Sequence, residues 1–330
     1  MALVNDEDLV SSLSIPGTHD SAAYTQPWPF VATQTMNIAE QLHAGIRYFD
    51  LRCGVVNNST EMVHGPRLLG LRLQTVLDTM YTWLDSHPTE GLIVQIKEDR
   101  KSEQSTVPFW QAIYQNIAAK SERWRTANTT PSMGELRGKI QLLRRYSAPS
   151  RMAYGIDVTQ WQDNPSTPFT IYTWHQVQLT IQDHYNFSEP MALPSLLAKK
   201  GGDVSGLLQK AYNDPDPCHW YINFTSAYEF NLYYQLTPRA IAVGAYYGFR
   251  WEQGMNPRLS NSLRVNPGRR RLGIVAMDFP DNGSDDLIQL IIQSNFAPGR
   301  MSWHMILLGL SLFAGSSDGT KRCIDYLLGP

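Results

Sequence analysis

The sequence predicts an α/β chain folded as a single (β/α)8 barrel of the TIM type, irregular or incompletely closed. Three observations lead there. Eight short apolar segments of strand character are spread along the chain, most of them followed by helical or irregular stretches. No internal repeat and no linker-like break divides the 330 residues. Several of the apolar segments finish in a charged side chain, and in a parallel barrel those ends converge on one mouth. Residues 1–300 are accordingly expected to form the barrel. Residues 301–330, an apolar patch followed by a polar tail, are expected to be an appendage.

The first strand is expected across Leu9, Val10, Leu13 and Ile15, stopped by Pro16 and Gly17, so that His19 and Asp20 sit where a strand ends and a loop begins. Residues 24–30, aromatics between prolines, read as a loop or short broken helix. Ile38, Leu42 and Ala44 at helical spacing predict a helix over 37–45 with Gly45 as its stop. In the second strand, 46–52, alternation places Arg47, Phe49 and Leu51 on one face and Tyr48, Asp50 and Arg52 on the other. A turn at Asn57 and Asn58 leads to a short third strand ending at His64.

A helix over 75–86 is closed by Pro88, and strand four (91–98) runs apolar until Lys97. A helix over 109–124 and strand five (139–146) follow. Residues 147–176 are rich in Pro, Ser and Asp and read as a decorated loop or lid. Strand six (177–185), a helix starting within 191–200, strand seven (220–226), strand eight (273–279) and a closing helix (286–294) complete the order.

A hydrophobic fraction of 42% and a charged fraction of 18% are those of an ordinary soluble globular protein. The net charge of −2 argues against a nucleic-acid binder held by bulk charge, and gives no general attraction to anionic lipid. Cys53, Cys218 and Cys323 lie far apart, without CxxC or Cys/His spacing, so neither a disulfide framework nor a zinc site is indicated. No basic n-region or apolar h-region marks a signal peptide. Sequons at Asn58, Asn128, Asn186 and Asn282 do not establish secretion, so the compartment stays undecided. The longest apolar run, 305–315, is too short to span a bilayer.

The chemistry lies in the strand ends. His19, Asp50 with Arg52, His64, Lys97, Arg145, Asp183 with Tyr185, and Asp278 all fall at or just past the end of an expected strand. Taken singly, each reads as a satisfied strand-end charge. Taken together they read as a site, because unpaired charges are costly to bury. Two histidines form a base–acid pair near neutral pH, and an Asp beside each would fix its tautomer. Arg matches phosphate oxygens and neutralises charge that builds there. The combination, with no metal cluster, points to phosphodiester cleavage through an internal hydroxyl. Lys97, Arg145, Asp183 and Tyr185 suit a polyhydroxylated ligand.

The ordered set SIPGTHDS (14–21), YFDLR (48–52), HGP (64–66), QIKE (95–98), GKIQLLRRYS (138–147), QDHY (182–185), YINFTS (221–226) and MD (277–278) resembles that of bacterial-type phosphatidylinositol-specific phospholipase C. The resemblance covers about residues 10–295. It implies His19 as the base that deprotonates the inositol 2-hydroxyl, oriented by Asp278, and Arg52 as the stabiliser of phosphorane-like charge. It implies His64, helped by Asp20, as the acid that protonates the departing diacylglycerol oxygen, giving inositol 1,2-cyclic phosphate. Asp50 would hold Arg52 or the base. Lys97, Arg145 and Asp183 would bond inositol hydroxyls, with Tyr185 stacking on the ring. Arg52 stands where larger eukaryotic enzymes use calcium, so no metal or cofactor is expected.

The implied partner is an inositol phospholipid at a membrane surface, met by a monomer. Trp28 and Phe30, with Tyr228, Phe230, Tyr233 and Tyr234, would either wedge into lipid headgroups or pack loops onto the rim. Departures from the family are Cys53 after the Arg motif, the loop 147–176 and the C-terminal tail. Two competing readings are a catalytically idle inositol-lipid-binding module and a glycerophosphodiester phosphodiesterase-like enzyme. The latter needs a His-Arg-Gly start, which Asp20 and Ser21 do not supply.

Overall fold

The computed structural model describes residues 1–187 and 189–297, so the expected appendage 301–330 and its apolar run lie outside the described residues. Strands are β1 (Ile15–Thr18), β2 (Tyr48–Val56), β3 (Ser59–His64), β4 (Arg67–Arg72), β5 (Leu92–Glu98), β6 (Trp124–Arg125), β7 (Ile140–Arg145) and β8 (Ile156–Asp157). They continue as β9 (Phe169–Tyr172), β10 (Gln178–Gln182), β11 (Trp220–Phe224), β12 (Glu229–Phe230), β13 (Gln235–Leu236), β14 (Gly244–Tyr247), β15 (Arg250–Gln253) and β16 (Ile274–Met277). The helices are α1 (Ile38–Ala44), α2 (Leu73–Ser86), α3 (Phe109–Ala118), α4 (Met133–Leu136), α5 (Leu193–Asn213), α6 (Pro238–Ala242), α7 (Met255–Val265) and α8 (Leu287–Gln293).

The main sheet runs β6-β7-β5-β2-β1-β16-β11-β10-β9, with β8 added to β7 and the β3–β4 hairpin growing from β2. Neighbours from β7 through β10 are parallel, whereas β9 is antiparallel to β10. β9 pairs with neither β6 nor β8, so the sheet curls without closing. This is the incompletely closed barrel the sequence predicts.

Both faces of the sheet are covered, which is why its strands are nearly continuous apolar runs. One core lies inside the curl, around Ile15, Tyr48, Ile93, Leu143, Ile181, Ile222 and Ile274. The other lies between the sheet and helices α1, α2, α3, α7 and α8, around Phe49, Leu51, Val94, Ile96, Leu142 and Met277. The period of two then decides the site: the inward file continues from Tyr48 to Asp50 and Arg52, and from Ile93 to Gln95 and Lys97. By the same count Leu143 leads to Arg145, Ile181 to Asp183, and Ala276 to Asp278.

Helix α1 follows its sequence signals. The Asn37 carboxamide accepts from the Glu40 N–H at 3.0 Å while the Glu40 carboxylate accepts from the Asn37 N–H at 2.8 Å. Gly45, at φ +109°, ends the helix.

Four expectations are corrected. Pro16 and Gly17 lie inside β1 rather than beyond it, and residues 10–12 form a 3-10 turn. Pro16 is tolerated because its β2-facing side precedes the start of β2; its carbonyl still accepts from the Arg47 N–H at 2.9 Å. Gly17 is needed for packing, since a Cβ there would come within 2.6 Å of the Tyr48 ring.

The third strand is not a parallel barrel stave. Asn57 and Asn58, at φ +50° and +63°, form a two-residue turn of the I′ kind, and β3 folds back antiparallel on β2. The expected helix 109–124 stops at Ala118, and Trp124 opens β6. The stretch 147–176 contains β8 and β9 rather than loop alone.

Candidate active site

Because β1 and β16 run parallel with Thr18 opposite Met277, the next residues of each emerge side by side. His19 Nδ1 lies 2.8 Å from Asp278 Oδ1. On the other edge of the ring, Arg52 Nη2 stands 2.7 Å from His19 Nε2. A guanidinium can only donate, so Nε2 accepts and the imidazole proton resides on Nδ1, shared with Asp278. The lone pair of His19 thus faces the centre of the mouth, held by Arg52.

Arg52 is itself fixed by Asp50, whose Oδ2 accepts from both Nε and Nη2 at 3.2 Å. Gln95 Nε2 donates to Asp50 Oδ1 at 2.7 Å, and the Asp20 N–H to Oδ2 at 3.2 Å. Burial opposes ionisation of Asp50, but Arg52, His19 and Arg145 outweigh it and hold its carboxyl below the ordinary carboxylate value.

His64 arrives from the other side. The antiparallel register, Cys53 opposite Met62, brings β3 back to the level of Arg52. His64 Nδ1 donates to the Val31 carbonyl at 2.8 Å, which leaves Nε2 for the mouth. Asp20 Oδ2 lies 3.3 Å from His64 Nδ1 and 3.8 Å from Arg52 Nε, yet neither carboxylate oxygen of Asp20 accepts a hydrogen bond. Burial pushes the Asp20 carboxyl up to about 7 despite Arg52 and His19. Burial, then Arg52, lowers the pKa of His64.

A second group lines the far wall. Arg145 Nη2 is 3.8 Å from Asp183 Oδ2, and its Nη1 is buried with no acceptor. Trp161, which sequence reasoning misses, joins the two: its ring lies 4.2 Å under the Arg145 guanidinium and its Nε1 donates to Asp183 Oδ2 at 2.8 Å. The same indole packs edge-on to Phe169 of β9 and Phe224 of β11. Tyr185 donates its hydroxyl to Asp163 at 2.8 Å and stacks on Tyr228.

Lys97 pairs with Asp99 at 2.5 Å, and Asp99 also accepts from the Gly65 N–H at 2.7 Å. Asp99, another residue missed from sequence, therefore ties the Lys97 strand to the turn after His64. Its signal was available as the second acidic residue beyond Lys97. A single Trp in a polar loop gives none.

The rim carries exposed aromatics. Trp28, Phe230 and Tyr233 are open to solvent, while Phe30 and Tyr234 are partly covered. Phe30 meets Phe230 edge-on at 5.0 Å, so the loops after β1 and β11 touch. Hairpin β14–β15 adds Tyr246, Tyr247, Trp251 and a fully exposed Phe249. Gly248, at φ +62°, starts its two-residue turn. The hairpin base sits at the mouth, since Gly283, in the loop after Asp278, is packed against Val243. Its signal was Gly248 between alternating aromatics. Among the described residues no group of three or more His, Cys, Asp or Glu side chains is disposed to hold a metal ion, and no helix is long and apolar enough to cross a membrane.

Residues 13–146 match the family described as phosphatidylinositol-specific phospholipase C, X domain. A 1-phosphatidylinositol phosphodiesterase of Staphylococcus aureus is 25% identical over 311 residues, 89% of this chain and 93% of that protein. The chain is homologous to the bacterial phosphatidylinositol-specific phospholipases C. The Listeria monocytogenes 1-phosphatidylinositol phosphodiesterase is 36% identical over 152 residues, 43% of this chain and 47% of that protein. A solved variant of the Staphylococcus aureus phospholipase C superposes with a TM-score of 0.76 at 25% identity, covering 89% of this chain and 96% of that one. The superposition spans most of the chain, whereas the family match spans the stretch that carries His19, Asp20, Asp50, Arg52, His64, Lys97 and Arg145.

Proposed function

We propose that this chain is a phospholipase C-type phosphodiesterase that cleaves phosphatidylinositol, or a related inositol phospholipid, to diacylglycerol and inositol 1,2-cyclic phosphate. The observation that supports it most is one guanidinium bonded to the His19 ring and linked through the Asp20 carboxyl to the His64 ring, the Nδ1 atoms of both imidazoles being engaged elsewhere. Each ring then has only Nε2 to offer a ligand. A phosphodiester entering the mouth would draw Arg52 off His19, freeing Nε2 to take the proton of the inositol 2-hydroxyl. The alkoxide forms the new bond to phosphorus, Arg52 neutralises the charge on the phosphoryl oxygens, and the bond to the diacylglycerol oxygen breaks.

His64 Nε2 protonates that leaving oxygen. The same anion that pulls on Arg52 favours a protonated His64, opposing the lowering imposed by burial and by Arg52. Asp278 keeps the proton of His19 on Nδ1, and Asp50 keeps Arg52 in plane. Lys97, Arg145 and Asp183 bond the inositol hydroxyls, the unused Nη1 of Arg145 being a ready donor, and Tyr185 covers the ring. No metal takes part in this reading. Release of cyclic inositol phosphate from phosphatidylinositol in excess chelator is the test: wild type turns over and His19→Ala does not. Turnover only with added calcium overturns the mechanism, and vesicle binding without turnover favours an idle lipid-binding module.

At the membrane, Trp28, Phe30, Tyr233 and Tyr234 act with the β14–β15 aromatics as a wedge around the mouth, since the net charge offers no attraction.

A further inference from the structure

Lys200 in α5 is fully buried, and its ammonium donates to two neutral oxygens: Gln182 Oε1 at 3.1 Å and the His184 carbonyl at 2.7 Å. A buried cation bonded to neutral acceptors is costly, and an apolar residue would fill the space without that cost. Its bonds point to what it holds. Gln182 Oε1 also accepts from the His184 N–H at 2.8 Å, while Gln182 Nε2 donates to Asn223 Oδ1 and the Phe224 carbonyl, both at 2.8 Å. Asn223 Nδ2 returns to α5 at the Val204 carbonyl, 2.9 Å away.

The network thus closes over the ends of β10 and β11. Between its two anchor points, Gln182 at the end of β10 and His184 just beyond it, lies Asp183, with Tyr185 next along the chain, and Phe224 on β11 meets His19 edge to face. We propose that Lys200 is a positioning residue for headgroup recognition: by fixing Gln182 and the His184 carbonyl, it turns Asp183 and Tyr185 into the mouth. This rests on the inositol-phosphodiesterase reading above. The carboxylates of Asp183, Asp203 and Asp278 support its charge, Asp203 being also bonded to His184 Nδ1 at 2.9 Å. Burial still lowers the ammonium to about 8.

The test is steady-state cleavage of a soluble, short-chain phosphatidylinositol by wild type and Lys200→Met, with thermal midpoints measured alongside. Lys200→Met leaves the buried His184 carbonyl without its donor and Gln182 Oε1 with one donor fewer, and should raise KM about tenfold, with kcat changed less than about twofold. A folded Lys200→Met protein with unchanged KM overturns the proposal. Where that variant does not fold, Gln182→Leu cuts the same brace from the β10 side, and a folded Gln182→Leu protein with unchanged KM overturns the proposal instead. Absence of turnover by wild type overturns the functional reading itself, and this role with it.

Discussion

The mouth holds two His–Asp pairs that look alike in sequence and differ in structure. Asp278 accepts a short hydrogen bond from His19 Nδ1, whereas Asp20 touches His64 Nδ1 at 3.3 Å without receiving its proton, which goes to the Val31 carbonyl. Asp278 therefore sets a tautomer. Asp20 is a fully buried carboxylate with no hydrogen bond to either oxygen, and its surroundings favour the neutral form. Adjacency in sequence (His19 beside Asp20) says nothing about which ring a carboxylate serves. Strand pairing decides that.

The contrast can be broken by substitution. His19→Ala should reduce turnover by about 10³-fold or more, with vesicle binding retained, as measured by cyclic phosphate release and sedimentation. Asp278→Asn should cost about a hundredfold or more in kcat, because an amide no longer holds the proton on Nδ1. Asp20→Asn should cost about tenfold or less, since the carboxylate accepts no hydrogen bond to lose. Equal losses for the two Asn variants would erase the distinction drawn between the pairs.

Stability sharpens it further. The Asp20 carboxyl is raised from 3.8 to about 7 on folding, so the folded state holds this proton more tightly than the unfolded one. Its contribution is whole below about pH 4 and is lost as pH rises through about 7. Asp20→Asn should leave the thermal midpoint unchanged near pH 4 and raise it by a few degrees above pH 7. The smallest effect concerns the rim, away from both pairs. Phe249→Ala should weaken vesicle binding about tenfold and leave cleavage of a soluble, short-chain phosphatidylinositol intact.

Much of the mouth is legible from sequence because a parallel sheet covered on both faces leaves little choice. An apolar run that ends in Asp50 and Arg52, or in Lys97, can only present those charges at the strand's open end. His64 is found by the same logic but reached by another route. Two residues between β2 and β3 suffice for a hairpin, while a parallel crossover needs a dozen or more, so Asn57 and Asn58 already argued against a separate stave. Pro16 misleads for a local reason: it interrupts a ladder only where a neighbour is there to pair. Trp161 and Asp163 were beyond reach, since irregular segments carry no period from which to infer what they face. Lys200 looks like any helical lysine until its burial is known.

The bond between Arg52 and His19 has one more consequence. At rest each group serves as the other's placeholder: the basic nitrogen is occupied and the guanidinium is partly satisfied. A ligand without an anionic centre offers Arg52 no better partner, so polyols alone leave the base masked. In the proposed reaction the departing cyclic phosphate would compete with the protein's own imidazole for the same guanidinium, and re-forming that contact would help to expel it.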